Sequence, residues 1–492
     1  MGSRRKKPTA SKPASEQRPA RSLIESRGGA IGAEEVGETF SFVAKEMLRL
    51  QRLGLDVVKE LQGLDFVCSI HDSDRRMRFI GRPAYDRLRD LTLRAIDQSA
   101  YRGCIDHSRA FGCVRTGFGR DYIRPGFTGT TDAEDLTNLL GWIDEAAEDC
   151  TSLTHFVPCQ IRLPKGERFV VGPVTFEPRE TVMGVVEAKL ADWDAGRGDE
   201  DKWRAKDCKT ALEYLGSFTD VARVTVPRCD HETSRRVADE TVQAALAFLH
   251  VMAGADRTKK VRSGGPAVKN AQLATLALDD QGAPFYTWTG EWEGARLDEK
   301  FWEWMRAKRQ AAMSDAVGKA LQTITERTDA QMAAARYLDA AAWYADAARE
   351  TRHPAAILKY LTAMERLLWT GETGGVTRRL SERAAALCFT VDPWNFEELT
   401  KEIRSAYDLR SGIVHGRIRN DDPKIVRNYR LCERIAQDLL ITWLDRYGEG
   451  FDRETTLEKL KAHLDGFVAE VRKETEARRA IPLAAAGEGI AE

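Results

Sequence analysis

The chain of 492 residues sets 75 Lys+Arg against 76 Asp+Glu, a net charge of −1, and is 42% hydrophobic and 31% charged. This balance excludes a chain disordered throughout and a strongly basic coat for nucleic acid, and the length suffices for two or three domains with cores of their own. The most apolar run, 244–255, is broken by His250 and falls far short of the ~20 residues that a membrane-spanning helix needs.

Residues 1–22 carry Arg4, Arg5, Lys6, Lys7, Lys12, Arg18 and Arg21 against one acid, Glu16, with Pro, Ser and Ala between them. The pattern is that of a disordered basic tail, and with no apolar core behind the charges it is not a secretory signal. The cysteines (68, 104, 113, 150, 159, 208, 229, 388 and 432) are odd in number, scattered and never spaced C-x-x-C. Such usage predicts reduced thiols in a cytoplasmic protein.

Helical spacing is expected over Phe40–Leu61 and Leu136–Ala147, with loops through the Gly- and Arg-rich stretch Tyr101–Thr131. Cys159–Leu163 alternates, 164–167 is a turn, and Arg168–Phe176 is rich in Val and Phe. These predict a hairpin whose second strand is interrupted at Gly172-Pro173. Ala222–Val226 is a further short strand, and helices are expected over 231–253 and 297–324. Residues 23–330 therefore read as an α+β region of one or two domains, and no internal repeat is present.

Residues 331–447 read as an all-α bundle, which makes the whole chain mainly α. Helices are expected at 329–350, 354–369, 377–389, 393–411 and 423–447. Three starts are marked by X-Pro (His353-Pro354, Asp392-Pro393, Asp422-Pro423), where proline suits the first turn and a preceding Asp can cap free N–H groups. In 448–492 a charged helix over 453–478 precedes an Ala/Gly-rich tail from Ile481.

The chemistry concentrates in the helix that buries Phe396, Leu399, Ile403, Ala406 and Tyr407. At ~100° per residue Arg410 falls in the same stripe, so a guanidinium stands where an apolar side chain is expected and needs a partner or a task. Glu365, at the edge of the Ile357/Leu361/Met364/Leu368 stripe, is the natural partner, and an ion pair that merely sets helix register is the structural alternative. His415 lies about 140° from Arg410 in an unbroken helix. Either a helix end loosened by Gly412 and Gly416, or a second copy of the chain, would be needed to bring imidazole and guanidinium together. Between 401 and 434 there are nine Lys+Arg and five Asp+Glu. The surplus is a modest positive patch suited to phosphate, or else a solvated helix face.

Arg410-Ser411-Gly412-Ile413-Val414-His415 fits the R-x4-6-H signature of HEPN domains, and the longer string YDLRSGIVHG resembles the form found in Apea-like HEPN proteins. LTAMERLL (361–368) and LSERAAAL (380–387) resemble the family's preceding segments in order and spacing. The resemblance covers roughly 330–447, about a quarter of the chain. It implies a HEPN-like bundle that dimerises through its motif helices and, in many members, cleaves RNA without a metal. Arg410 and His415 would be the catalytic pair, with Glu365, Tyr407 and Ser411 auxiliary and Arg404, Arg417, Arg419 and Lys424 gripping RNA. Many HEPN nucleases have Asn, Asp or His after the Arg; this chain has Ser411. From its stripe position alone Tyr407 reads as core. Apea-like proteins are associated with prokaryotic defence against phage, which implies that residues 23–330 respond to a phage-derived or cellular trigger.

No cofactor or metal is expected. Cys104/Asp106/His107 and Cys229/Asp230/His231 bring possible ligands together without the paired spacing of a zinc site. Neither a Walker loop nor a G-x-G-x-x-G fingerprint is present. His71-Asp72 and His155 read as surface or satisfied polar groups. Trp292, Phe301, Trp302 and Trp304 read as core or interface. The reading that competes with a nuclease is a HEPN module that binds RNA or protein without cutting, or serves as a dimeric scaffold.

Overall fold

The structure, a computed structural model, describes residues 30–52, 67–123, 129–194, 202–264, 273–278, 284–289, 297–389 and 396–480. The basic tail, residues 53–61 of the first expected helix, Trp292, Asp392-Pro393 and the tail from Ile481 lie outside them. Chain contacts define two compact units, Met1–Cys150 and Thr151–Glu492, so the limit expected near 330 falls inside the second.

In the first unit, helix α1 (Ala33–Arg52) precedes the antiparallel hairpin β1 (Val67–His71) and β2 (Met77–Gly81). Then come α2 (Arg82–Asp97), α3 (His107–Tyr122) and α4 (Asp132–Ala147). The expected helix 136–147 is present and starts four residues earlier, at a capping box between Thr131 and Glu134. Tyr101–Thr131 is not a loop throughout: α3 occupies its centre, started by the Asp106 carboxylate, which accepts from the N–H groups of Ser108 and Arg109. Two of its three glycines, Gly117 and Gly119, are packing devices. A Cβ at Gly117 would stand 2.4 Å from the Trp142 ring, and one at Gly119 would stand 2.0 Å from the His71 carbonyl oxygen. Both contacts are far inside van der Waals range, so the helix accepts the propensity penalty of glycine in return for close approach. Phe40, Phe118, Tyr122 and Trp142 form the aromatic core they permit. Asp72, of the two expected alternatives, is the satisfied polar group: it is buried and holds the β1–β2 turn by accepting from the Asp74 and Arg76 amides and the Arg78 guanidinium.

The second unit opens on a five-stranded, curled, antiparallel sheet: β3 (Thr151–Gln160), β4 (Phe169–Val171), β5 (Val174–Pro178), β6 (Asp220–Cys229) and β7 (Arg262–Ser263), in the order β4-β5-β6-β3-β7. The strand expected at 222–226 is the middle of β6. The hairpin expected between 159–163 and 168–176 is not formed. β3 pairs with β6 and β7, while β4 pairs with β5 across a two-residue turn at Gly172-Pro173. The interruption read from Gly172-Pro173 is therefore the turn itself. Gly172 has φ +54°, and a Cβ on it would stand 2.4 Å from the Gly318 Cα. Helices α5 (Arg179–Asp194) and α6 (Lys202–Leu215) lie between β5 and β6, and β8 (Leu273–Leu278) and β9 (Pro284–Thr289) pair as a separate hairpin.

Helix α7 (His231–Ala253), matching the expected range, carries the buried His250 against the sheet, and α8 (Ala255–Thr258) follows it. The helix expected over 297–324 is two, α9 (Glu299–Met305) and α10 (Lys308–Glu326), broken at Arg306-Ala307. Trp302 is buried beside Phe169 and Phe301, whereas Trp304 is exposed. The chain ends in α11 (Met332–Ala348), α12 (His353–Leu368), α13 (Val376–Cys388), α14 (Phe396–Val414), α15 (Pro423–Tyr447) and α16 (Leu457–Ala480). The molecule is thus mainly helical, with an α+β N-terminal part and helices throughout its C-terminal part. Pro423 opens α15 with Asp422 capping the Lys424 amide, as X-Pro predicts; at Pro354 no side-chain cap is present. Among the described residues no helix is long and apolar enough to cross a membrane.

Candidate functional site

Helix α14 buries all five apolar residues assigned to its seam: Phe396, Leu399, Ile403, Ala406 and Tyr407. Arg410 follows on that face near the helix end. Its side chain is 37% exposed and meets the expected partner through one contact, Nη2 to Glu365 Oε2 at 3.4 Å. That is long for a charge-assisted bond and monodentate where a guanidinium can bind a carboxylate with two parallel bonds. The Arg410 Nε is buried with no hydrogen-bond partner. Burial pushes the Glu365 carboxyl above its ordinary range, and attraction by Arg410 and Arg366 does not offset it. Tyr407 is core, as its stripe position predicts. Its hydroxyl is buried without a partner, and burial together with the Glu365 carboxylate keeps the phenol well above its usual range.

His415 ends the helix. Its amide still donates to the Ser411 carbonyl at 3.1 Å, so the helical ladder is intact up to it. The turn comes one residue later at Gly416, with φ +67°. The Gly416 amide donates to Ile413 O (3.1 Å) and the Arg417 amide to Gly412 O (2.8 Å), the paired bonds of a left-handed glycine C-cap. Gly412 leaves room for the return of the chain, since a Cβ there would stand 2.4 Å from Ile418 Cδ1. The loosened end needed to swing His415 toward Arg410 is therefore not formed. The two remain about 140° apart around one helix, with His415 exposed and pointing off the seam. Gly416→Ala is expected to cost about 1–2 kcal/mol in denaturant unfolding, because only glycine takes the left-handed conformation freely.

The basic residues divide sharply. Arg404 reaches Glu382 at 3.4 Å, a carboxylate it shares with Arg472. Arg419 pairs with Asp421, Arg427 with Glu402, and Arg430 with Asp256 and Glu433. Arg417 donates to the Ser411 hydroxyl at 3.3 Å, and Lys424 is exposed; neither pairs with a carboxylate among the described residues. Near His415 the weakly answered positive charge is that of Arg417 and Lys424, with Arg410 held by its one long contact to Glu365.

The criterion that singles out Arg410 also applies to a residue the sequence reading passed over. Arg383 lies between Leu380, Ala384 and Leu387 on the buried stripe of α13 and is only 2% exposed. It makes five hydrogen bonds: two to Asp465 Oδ1, one each to the Leu368 carbonyl and the Thr370 hydroxyl, and one to Glu372 Oε1 at 2.6 Å. Five is the full donor complement of a guanidinium. Arg383 is a saturated structural cation, and Arg410 is not.

The paired cysteine-histidine clusters form no centre. Asp106 and Asp230 are occupied as helix caps, and among the described residues no group of three His, Cys, Asp or Glu could hold a metal. His155 Nε2 shares a hydrogen bond with Ser234 Oγ at 2.6 Å, the satisfied polar group expected. Compared with protein-family models, curated proteins and solved structures, the chain matches none.

Proposed function

We propose that this chain is a metal-independent endoribonuclease of HEPN type, with Arg410 and His415 as its catalytic pair. The observation that supports this most is the contrast between two arginines on apolar helix faces. Arg383 has its donors filled, whereas Arg410 keeps a part-exposed guanidinium with one long contact. An arginine held near a half-buried carboxylate of raised pKa is poised to exchange that carboxylate for a phosphate.

RNA carries its own nucleophile. A neutral imidazole of His415 takes the 2′-OH proton, the 2′-oxygen attacks the adjacent phosphorus, and the P–O5′ bond breaks. The leaving 5′-oxygen takes a proton from an imidazolium, and a 2′,3′-cyclic phosphate remains. Arg410 stabilises the charge that builds on the non-bridging oxygens. Because one helix keeps the two residues apart, the cleft in this reading is composite: two copies of the chain pair about the α14 ends, and Arg410 of one faces His415 of the other. Val414 and Val426, 59% and 56% exposed beside the motif, suit that contact. Arg404, Arg417, Arg419 and Lys424 grip the RNA strand, the first and third after exchanging their carboxylates for phosphates. The setting we propose is cytoplasmic defence against phage, with the N-terminal region answering to a phage-derived or cellular trigger.

The test is incubation of the pure protein with total RNA in EDTA. Cleavage that EDTA leaves untouched, with 2′,3′-cyclic ends, is expected. Val414→Asp is expected to give a monomer by light scattering and to lose cleavage with it. The second reading, a HEPN module that binds without cutting, is favoured by the role of His415 as a helix cap. Binding of RNA with no cleavage, and expression that is harmless with or without His415, would select it.

A further inference from the structure

Cys104 stands in the sequence beside Asp106 and His107, yet Asp106 is occupied as the cap of α3 and no metal group forms there among the described residues. The surroundings of Cys104 give it another task. The chain between α2 and α3 is a run of tight turns. The Ser99 amide donates to Ile96 O (3.0 Å), that of Arg102 to Ser99 O (3.3 Å) and that of Cys104 to Tyr101 O (2.9 Å), with Gly103 at φ +68°. These bonds fix the Cys104 backbone, and the buried Ile105 anchors the residue after it. The Cys104 thiol itself is buried and donates to the Arg102 carbonyl at 3.6 Å.

The end of α4 is held against this turn. Arg109, in the first turn of α3, donates through Nε to the Ala146 carbonyl (3.2 Å) and through Nη2 to Asp149 (2.5 Å). The Cys150 amide donates to Ala147 O at 3.0 Å, and the Cys150 Sγ lies 3.9 Å from the carbonyl oxygen of Cys104, across 46 residues of chain. One cysteine sulfur thus touches the peptide group of another cysteine. The second sulfur hangs from the α-carbon of that same peptide, so rotation about the two Cα–Cβ bonds is the motion that joins them. Only two thiol contacts to carbonyls are given up, and a thiol is a weak donor. The backbone bonds and the Arg109 contacts that hold the two segments together stay in place. Exposure divides the pair: Cys150 is half-buried and Cys104 is buried. A small oxidant therefore meets Cys150 first. Cys150 is also the last residue of the first unit, and Thr151 begins β3.

We propose that Cys104 and Cys150 are a reversible redox pair, oxidised by a peroxide to a disulfide that clamps the turn before α3 to the residue at which the first unit passes into β3. The Cys150 sulfur attacks one peroxide oxygen and the O–O bond breaks. Cys150 becomes a sulfenic acid, and the other oxygen leaves as water with the thiol proton. The Cys104 sulfur then attacks the Cys150 sulfur, the S–O bond breaks, and the hydroxyl leaves as a second water with the Cys104 proton. Two thiols lose two electrons and two protons, and one peroxide becomes two waters. A dithiol reductant reverses the change. The pair is independent of Arg410 and His415, so neither assignment stands or falls with the other.

The full chain, reduced and then freed of reductant, is treated with a small molar excess of hydrogen peroxide. The remaining thiols are alkylated, and the digest is mapped by mass spectrometry. The expected product is a peptide pair joined through Cys104 and Cys150 that disappears on treatment with a dithiol. Cys113, one turn beyond Arg109 on α3, is the competing thiol, and Cys113→Ser should leave the cross-link intact. The disulfide closes a loop that contains α3 and α4, so their amides should exchange with deuterium more slowly after oxidation. Cys150→Ser, at the half-buried position, should lose both the cross-link and the slowing. The proposal is overturned if Cys104 and Cys150 remain thiols under peroxide, if either pairs with a different cysteine, or if the α3 and α4 amides exchange as fast with the link as without it.

Discussion

Arg410→Ala and His415→Ala are each expected to reduce RNA cleavage by about 10²–10⁴-fold, the range lost when a positioned proton-transfer group or a transition-state hydrogen-bond donor is removed. The folded state should barely register either change. His415 is exposed at a helix end, and Arg410 contributes one long contact. Its loss leaves the Glu365 side chain 28% exposed, so water can take the place of the one long contact. Melting temperatures within a few degrees of the parent are therefore expected beside a near-complete loss of cleavage. Arg410→Lys should not rescue, since a point charge does not reproduce the planar fork on phosphate oxygens. The double variant should be little worse than either single one, because groups that act as a unit are not additive. Mixing the two inactive single variants tests the composite cleft: a mixed dimer retains one Arg410 facing one His415, so part of the activity should return. Full activity in either single variant removes the catalytic assignment.

What could be read from the sequence followed the strength of the periodic signal. The α14 seam was legible because apolar residues three and four apart have one explanation, and all five are buried. The range of α7 and the opening of α15 at Pro423 were legible for similar reasons. The failures have a common cause, which is that glycine has two meanings. In α3 it marks close packing on Trp142 and His71, and in β4–β5 it makes the turn; a single sequence does not separate these from loop and interruption. At Gly416 the same residue ends a helix, which was foreseen, but its consequence was not: the paired cap bonds leave the ladder intact up to His415 and hold it away from Arg410. Strand partnership was likewise out of reach, because β3 pairs with β6 some 70 residues away rather than with its neighbour.

Arg383→Ala is expected to be the most destabilising single change discussed, costing about 3–5 kcal/mol, the usual effect of breaking a buried ion pair from one side. Glu372 is the reason. It is 8% exposed, and burial alone would push its carboxyl up; the Thr370 hydroxyl and the Arg383 guanidinium outweigh burial and hold it at about 2. With Arg383 gone, that carboxylate is left desolvated with the Thr370 hydroxyl and amide and a 3.9 Å contact to Arg379, too long to replace the lost hydrogen bond. The same substitution cuts both bonds to Asp465, so α16 loses an anchor to α13 and should become protease-sensitive before the rest of the second unit. The pH dependence gives an independent check. A carboxyl whose folded pKa lies below its ordinary 4.5 adds stability that is complete above pH 4.5 and is lost as pH falls through about 2. The parent should therefore lose this contribution on the acid side, and Arg383→Ala should show a flatter acid limb because Glu372 no longer titrates low. If Arg383→Met with Glu372→Leu recovers most of the stability while Arg383→Ala alone does not, the arginine acts as counter-charge to a buried carboxylate rather than as packing. That role is the opposite of the one argued for Arg410, where the unmet donors are the functional feature. A variant set in which Arg383→Ala melts like the parent would remove the contrast on which the choice between the two arginines rests.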